Sequence, residues 1–296
     1  MAGALQQIMP GETQSALAQA IQDFTRDSPL NRLHDIDGSP IWEEPLVGFA
    51  DGDDPLFGTF KEVVGEAHLT PREALAAATG RDIASQECLS SPAGVVSWVL
   101  PAARETKISN REMTVGASQR WNHTRFQGEE FNDDLRRYVV SWLEQRGHRA
   151  VAPVLSPSFA TNRSPQGLAS TWSERHIAYA AGLGTFGLSD GLITARGIAH
   201  RCGSVVAEIA WTPSPRNYSH HQAYCPYVFD GTCGACIERC PAGAIGPAGH
   251  DKDKCREYIF VTLAPWARQP GYVGSYGACG LCQTKVPCES GLPFHH

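Results

Sequence analysis

Cysteines crowd the C-terminal part of this 296-residue chain. Eight of its ten cysteines lie in one run: Cys225-Pro, Cys233-x2-Cys236-x3-Cys240-Pro, a lone Cys255, and Cys279-x2-Cys282-x5-Cys288. Each cubane [4Fe–4S] cluster is held by four thiolates, and a cysteine followed by proline is typical of ferredoxin motifs. The run therefore predicts two [4Fe–4S] clusters, a fold built around them, and redox chemistry with single electrons.

The spacing also predicts which thiols share a cluster. In two-cluster ferredoxins the cysteine before proline serves the other cluster, which divides the eight into two groups. We call Cys225, Cys233, Cys236 and Cys288 the first cysteine set, and Cys240, Cys255, Cys279 and Cys282 the second cysteine set.

The first cysteine set departs from the ferredoxin pattern. The position three before Cys233 is Asp230 rather than cysteine, and Cys225 lies further upstream. The fourth ligand is therefore Cys225 or Asp230, or one cluster has only three irons. Cys225 is favoured because a thiolate binds these clusters better than a carboxylate does.

Zinc is the competing metal, since Cys233 and Cys236 with Cys279 and Cys282 could form a four-thiolate site. The Cys240-Pro dipeptide favours the iron–sulfur interpretation, because zinc sites do not need it. Cys88 and Cys202 lie in unrelated contexts and are predicted to be buried, unreactive thiols. The CxxC spacings, without a visible export signal, predict metal ligation in a reducing cytoplasm rather than disulfides.

Composition limits the remaining possibilities. With 42% hydrophobic residues the chain can form one large domain, or a main domain with a small appendage. A net charge of −6 argues against a strongly basic nucleic-acid-binding surface. Because no apolar run reaches about 18 residues, no membrane-spanning helix is expected.

Apolar periodicity predicts an α/β arrangement. Helices are expected over 12–34, 59–68, 70–79, 129–146 and 172–181, strands over 94–100 and 148–155, and a hairpin within 192–211.

A glycine segment follows the last of these helices. Gly182, Gly184 and Gly187 match the spacing G-x-G-x-x-G, but a dinucleotide fingerprint needs a strand before it and a helix after it. Here a helical run precedes the glycines, so nucleotide binding is not predicted. The glycines are expected to let the backbone pass close to a bulky planar group, or to form a tight helix-to-strand turn.

The stretch ERHIAYAAGLGTFGLSDGLIT, followed by GTCGACIERCPAGAI, KCREYI and YGACGLCQ, resembles the epoxyqueuosine reductase family and its relatives, the reductive dehalogenases. The resemblance covers roughly residues 93–288. It implies an α/β (α+β) fold with a nitroreductase-like corrinoid-binding core over 93–215. A helical and loop region over 1–92 would pack on this core. A C-terminal ferredoxin-like double-cluster module would occupy 216–296, and we call this segment the cysteine module.

The resemblance also implies a function. Cobalamin would bind near Gly182, Gly184 and Gly187, and the two [4Fe–4S] clusters would relay electrons to it from a low-potential donor such as ferredoxin or flavodoxin. The expected reaction is reduction of a small organic substrate by a cytoplasmic oxidoreductase with no membrane partner. tRNA is not expected as a partner, because the net charge is −6 and the family's tRNA-contacting extension past the second cluster motif is missing.

The proton donor is not identified by the sequence. The family's aspartate position corresponds to Leu168, and no aspartate lies between Leu155 and Ser189. The candidates are Glu174, His176 and Tyr179; alternatively, Glu174 and Arg175 are a solvated pair and the other two are packing residues.

The sequence leaves open the roles of four arginines, and it allows two alternative functions. Arg104, Arg111, Arg120 and Arg125 could bind corrinoid carboxamides or substrate anions, or be ordinary surface charge. The alternative functions are an electron-transfer or corrinoid-activating protein without its own substrate, and a flavin-linked reductase, because nitroreductase-like cores often hold FMN.

Overall fold

A computed structural model describes residues 10–164 and 167–293. The helices are α1 (Pro10–Asp27), α2 (Leu56–Val63), α3 (Pro71–Thr79), α4 (Gln86–Ser90), α5 (Arg104–Arg111), α6 (Gln119–Glu144), α7 (Glu174–Ala180), α8 (Pro226–Asp230), α9 (Ala235–Glu238) and α10 (Lys252–Glu257). The strands are β1 (Leu46–Asp51), β2 (Gly94–Pro101), β3 (Ala150–Val151), β4 (Thr161–Ser164), β5 (Gly167–Ser170), β6 (Gly184–Phe186), β7 (Leu192–Thr194), β8 (His200–Ala207), β9 (Ile245–Gly246) and β10 (Gly249–His250). Short 3₁₀ turns occupy Pro153–Leu155, Trp266–Arg268 and Leu281–Gln283, and a π-helix occupies Tyr258–Thr262.

The main sheet has the strand order β1-β2-β8-β3, and each neighbouring pair is antiparallel. All eight residues of β2 are buried, which explains why the strand predicted over 94–100 is apolar apart from Ser97, whose hydroxyl donates to the Gly203 carbonyl. That strand is confirmed. The mixed α/β composition is also confirmed. β8 inserts between β2 and β3, so the two predicted strands that α5 and α6 connect are not neighbours in the sheet.

The two faces of β2 bury different helices. Val96, Trp98 and Leu100 face α1 and α6, whereas Val95 belongs to the core formed with α2, α3 and α7. This alternation follows from the two-residue period of a strand. Each large apolar side chain removed from water contributes about 1.5–3 kcal/mol, so both helix layers are fixed to the sheet.

Several predicted boundaries were wrong for identifiable reasons. The first helix ends at Asp27 rather than near residue 34. α6 begins ten residues before the predicted start, capped by the Ser118 side chain, which accepts a hydrogen bond from the Trp121 amide. The strand predicted over 148–155 shrinks to Ala150–Val151, since Pro153 starts a 3₁₀ turn.

The hairpin predicted within 192–211 does not form. β7 pairs with β6, and β8 pairs with β2 and β3. Gly197, at φ +86°, turns the chain away between β7 and β8, so the two apolar segments enter different sheets.

The cysteine module packs against the main sheet region through hydrogen bonds to backbone carbonyls and through ion pairs. The Arg239 guanidinium donates to the carbonyls of Met113 and Asn110, at 2.9 and 3.3 Å. Arg111 pairs with Glu289. The domain boundaries at 92 and 215 stay predictions, although β1 places part of the 1–92 region inside the main sheet.

None of the helices in the described residues is long and apolar enough to cross a membrane.

Candidate functional site

The first cysteine set surrounds a single small cavity. Cys225, Cys233, Cys236 and Cys288 all line it, together with apolar side chains that include Ile198 and Val286. Burial raises the pKa of Cys236 to about 11 and that of Cys288 to about 12, and the Cys225 and Cys233 thiols add to both increases. Thiolates at these positions therefore need a positive group among them, as a metal cluster supplies.

The fourth ligand of this set can be compared in the structure. Cys225 is buried, and it is the residue immediately before α8. The Asp230 carboxylate instead accepts hydrogen bonds from the amide and the hydroxyl of Thr232, at 2.9 and 2.6 Å. It is exposed and does not line the cavity. The geometry therefore favours Cys225 over Asp230.

The second cysteine set is also brought together. Burial raises the pKa of Cys279 to about 11 and that of Cys282 well above its ordinary value, and the Cys255 and Cys240 thiols contribute to both shifts. Cys236, from the first set, also acts on Cys282. The two sets are therefore neighbours, as electron transfer between two clusters requires.

A single-ion site has a different geometry. Among residues 10–164 and 167–293, no three His, Cys, Asp or Glu side chains form a group that could hold one metal ion. A cubane spreads its four thiolate ligands around the corners of a cluster, an arrangement that does not need the ligands to converge on one ion.

The glycines of the 182–187 segment meet the protein's own backbone. Gly182 has φ +77°, and a Cβ there would lie 2.6 Å from the Pro215 carbonyl oxygen. A Cβ on Gly184 would lie 2.2 Å from the Ile193 carbonyl oxygen. Gly187 lines the cavity of the first cysteine set. These contacts explain a tight helix-to-strand turn, and cofactor binding by the glycines stays a prediction.

A larger cavity lies beside this turn, between α2, α7 and β6. We call it the α7 cavity. Its volume of about 410 Å³ is within the range of about 300–1,000 Å³ for ligand pockets. Leu56, Phe60, Val63 and Phe186 form apolar walls, and Arg175 and Lys252 supply positive charge.

Two of the three proton-donor candidates line the α7 cavity. Burial lowers the pKa of His176 to about 3, so its ring is neutral, and its Nδ1 atom lies 2.8 Å from the Ser173 hydroxyl. The same ring packs 4.7 Å from that of Phe186, between centroids. Burial raises the pKa of Tyr179, which keeps its phenol protonated at neutral pH.

Glu174 lies elsewhere. Its carboxylate is buried, 3.1 Å from the Arg136 guanidinium, and accepts a hydrogen bond from Ser204. Burial raises its pKa. The interpretation as a solvated pair with Arg175 was wrong, because the first turn of α7 faces the sheet at this residue.

A short chain of side chains connects the α7 cavity with the second cysteine set. His250 Nδ1 lies 3.3 Å from the carboxylate of Asp190, which lines the cavity. Burial alone would lower the pKa of His250, but hydrogen bonds with Asp190 and Cys255 raise it to about 9. Sequence reasoning missed His250 and Asp190; the only signal was a histidine five residues before Cys255.

The four arginines proposed as anion ligands separate. Arg111 pairs with Glu289, and Arg120 pairs with Asp37. Arg104 is exposed. Arg125 lines a cavity on the α6 side of the main sheet.

Comparisons with known proteins place this geometry in a class of fold. No protein-family model and no curated protein sequence match the chain. Solved structures do match: the chain shares its fold with epoxyqueuosine reductases and reductive dehalogenases. A reductive dehalogenase described in terms of B12-dependent dehalogenation aligns with TM-score 0.52 and 14% identity over 95% of this chain and 32% of that one.

Two further structures make the likeness specific. A catabolic reductive dehalogenase in complex with 3-bromo-4-hydroxybenzoic acid has TM-score 0.52 and 14% identity over 94% of this chain and 37% of that one. An epoxyqueuosine reductase with an epoxyqueuosine-modified tRNA-Tyr stem loop has TM-score 0.51 and 17% identity over 97% of this chain and 68% of that one. The chain thus shares the fold of the two families that its motifs resemble.

The prediction about tRNA is corrected by this comparison. We did not expect tRNA as a partner, yet a protein of the same fold was solved with a tRNA stem loop. The prediction was wrong because it used the net charge of −6. A net charge averages the whole surface, whereas RNA contacts one local region of it.

Proposed function

We propose that this chain is an iron–sulfur oxidoreductase in which two [4Fe–4S] clusters relay electrons to a cobalamin at the α7 cavity, for the reduction of an organic substrate. One observation carries the proposal: two complete sets of four thiols lie next to each other, and the second is linked to the cavity through His250 and Asp190. Cobalamin supplies a strongly reducing metal centre when bound.

The residues of the α7 cavity have separate roles in this proposal. Phe60, Phe186 and their apolar neighbours line the cavity and would exclude water from a bound corrin ring and pack against it. His176 and Tyr179 both line the cavity. Tyr179 is the favoured proton donor, since burial raises its pKa and keeps the phenol protonated, whereas the neutral His176 ring has already lost its acidic proton at neutral pH. Glu174 is assigned to the stability of the core instead.

The finer parts of the fold prediction belong to the same proposal. We assign the main sheet and its helices to a nitroreductase-like core and residues 216–296 to a ferredoxin-like module. A cytoplasmic location is proposed because ten cysteines, all free in the structure, suit a reducing compartment.

The first test is the metal content of anaerobically purified, reconstituted protein after incubation with hydroxocobalamin and desalting. We expect about eight irons and about one cobalt per chain. Cys236→Ala should lower the iron content to about four, because Cys236 lines the first cluster cavity. Cys202→Ala is the matched control: this thiol is also buried, but it lies in β8 and belongs to neither set.

The outcomes separate the proposal from its main alternative. Iron near four in both variants, or unchanged iron in Cys236→Ala, contradicts the ligand assignment. Full iron without retained cobalt favours an electron-transfer or corrinoid-activating protein. That alternative has one structural observation in its favour: Val228 and Phe229, just after Cys225, are 39% and 68% exposed, as expected of a docking surface.

A further inference from the structure

A second cavity lies on the α6 side of the main sheet. Its volume is about 230 Å³, and none of its lining residues lines the α7 cavity. We call it the Arg201 cavity. It is lined by residues of α6 and β8 and, from the cysteine module, by the π-helix and the segment that carries Cys279.

Two arginines and no carboxylate line this cavity. Arg125 and Arg201 both line it, and both approach the same Glu129 oxygen, at 3.8 and 3.5 Å. The other Glu129 oxygen is 3.0 Å from Arg136. Three guanidinium groups therefore approach this carboxylate, and Arg136 also pairs with Asp133 and Glu174. Within residues 10–164 and 167–293, neither Arg125 nor Arg201 donates a hydrogen bond shorter than these ion pairs, so their N–H groups are available to an anion.

An orphaned hydroxyl points to the same conclusion. Thr124 lines the Arg201 cavity and is only 4% exposed. Its Oγ1 atom has no hydrogen-bond partner among the described residues. Buried hydroxyls nearly always have a partner, so a ligand in the cavity would satisfy a group that the chain itself leaves unpaired.

Aromatic rings shape the rest of the cavity. Trp121, Phe260 and Tyr276 line it, and the last two rings lie 4.5 Å apart between centroids. Arg125 lies 5.6 Å from the Tyr276 ring centre. Such walls favour a flat apolar ligand, since aromatic rings stack with offset geometry. The volume, below the usual range of about 300–1,000 Å³, limits that ligand to one ring.

We propose that the Arg201 cavity binds a monocyclic aromatic carboxylate. Arg201 and Arg125 hold the carboxylate, since the planar guanidinium matches two carboxylate oxygens. Thr124 donates its hydroxyl to the same group, and the ring lies among Trp121, Phe260 and Tyr276. This binding site is separate from the proposed corrinoid cavity and does not depend on cobalamin.

Calorimetric titration of the cluster-loaded full chain tests the proposal, with benzoate as the probe and benzyl alcohol and inorganic phosphate as comparisons. We expect benzoate to bind and the neutral alcohol, which lacks the charge, to bind at least about tenfold more weakly. Arg201→Gln should weaken benzoate binding by about tenfold or more, and Thr124→Val by about threefold to tenfold. Arg137→Gln is the control, because it removes the same charge from an exposed position of α6 where Arg137 pairs with Asp134.

Thr124→Val keeps the test valid if Arg201→Gln folds poorly, because valine has nearly the same shape and Thr124 takes part in no ion pair. Equal benzoate affinity in wild type and Thr124→Val overturns the proposal. So does phosphate binding as tight as benzoate, which would show that the aromatic walls contribute nothing. Cobalt retention is measured on the same samples, so failure here is distinguishable from failure of the proposed reductase.

Discussion

The main sheet region and the cysteine module are held together by different forces. β2 contributes eight consecutive buried residues to two apolar cores. In the cysteine module, by contrast, α10 has six residues and β9 and β10 have two each. Such short elements cannot be stable alone. Apolar burial therefore fixes the first region, whereas the elements of the second are too short to be fixed in the same way.

The apolar core under the module makes the same point. Its buried residues are Leu188, Ile193, Ile198, Cys225, Ile245 and Val286. Half of them come from the main region, and one is itself a predicted cluster ligand. The module therefore has little apolar surface of its own to bury, and we infer that metal binding supplies most of its folding free energy, as in other small metal-binding domains.

Removal of iron should have the largest effect and should separate the two regions. After anaerobic oxidation and chelation of both clusters, we expect amide hydrogen exchange over 225–288 to accelerate by about a hundredfold or more. The amides of β2 and β8 should keep their protection, because the two apolar cores that these strands form contain none of the predicted cluster ligands. Hydrogen–deuterium exchange with mass spectrometry on the full chain gives both readings at once.

The control is the same treatment followed by cluster reconstitution, which should restore protection of the module. If peptides from 225–288 stay protected in iron-free protein, apolar packing and the Arg239 and Arg111 contacts are sufficient to hold the module. If β2 exchanges together with the module, the two regions form one cooperative unit.

A pair of glycines sharpens the comparison within the module itself. Gly280 and Gly234 each follow the first cysteine of a Cys-x2-Cys motif. Gly280 has φ +67°, and a Cβ there would lie 2.1 Å from the Trp121 ring. Gly234 has φ −161°, and a Cβ there would meet nothing within 4 Å. Alanine at 280 should therefore displace the Cys279–Cys282 turn, whereas alanine at 234 should be tolerated.

Iron analysis measures this difference. We expect Gly280→Ala to retain about four irons per chain and Gly234→Ala about eight, with thermal unfolding of the main region unchanged in both. Equal iron in the two variants would show that the Cys279 turn adapts to the extra methyl group. Loss of iron in Gly234→Ala alone would reverse our description of which motif is packed against the main region.

The sequence predicted these regions unequally. The cysteine spacing predicted how the eight thiols divide into two sets, since the short chain between neighbouring cysteines limits where their thiols can reach. The largely apolar run over 94–100 predicted β2 equally directly. The position of β8 was not predicted in this way, because its pairing with both β2 and β3 depends on contacts far apart in sequence.

Site residues outside the motifs were harder to predict from the sequence. The first half of α6 is polar in sequence, so its buried Asn122, His123 and Thr124 gave no apolar period to detect. His250 reaches Asp190 across 60 residues of sequence. Only the packing of the cysteine module on the main region brings these polar groups together, and no local pattern encodes that.

Acid should destabilise the main region through the buried His68 side chain. We expect this effect to be the smallest of the three predictions made for the two regions. Burial lowers the pKa of His68 to about 4, below the value of about 6.5 for an exposed imidazole. The unfolded chain then binds a proton that the folded chain excludes, so the contribution of His68 is complete above pH 6.5 and is lost as pH falls toward 4. At pH 5 the loss is roughly 2 kcal/mol.

The variant His68→Gln tests this, because its amide oxygen can still accept from the Ser173 amide. Denaturant unfolding followed by tryptophan fluorescence should show a decrease in the free energy of unfolding between pH 7.5 and 5 that is smaller than in the wild type by about 2 kcal/mol. His34→Gln, at an exposed site, is the control, and an identical pH dependence in both variants would mean that the His68 ring stays hydrated in the folded protein.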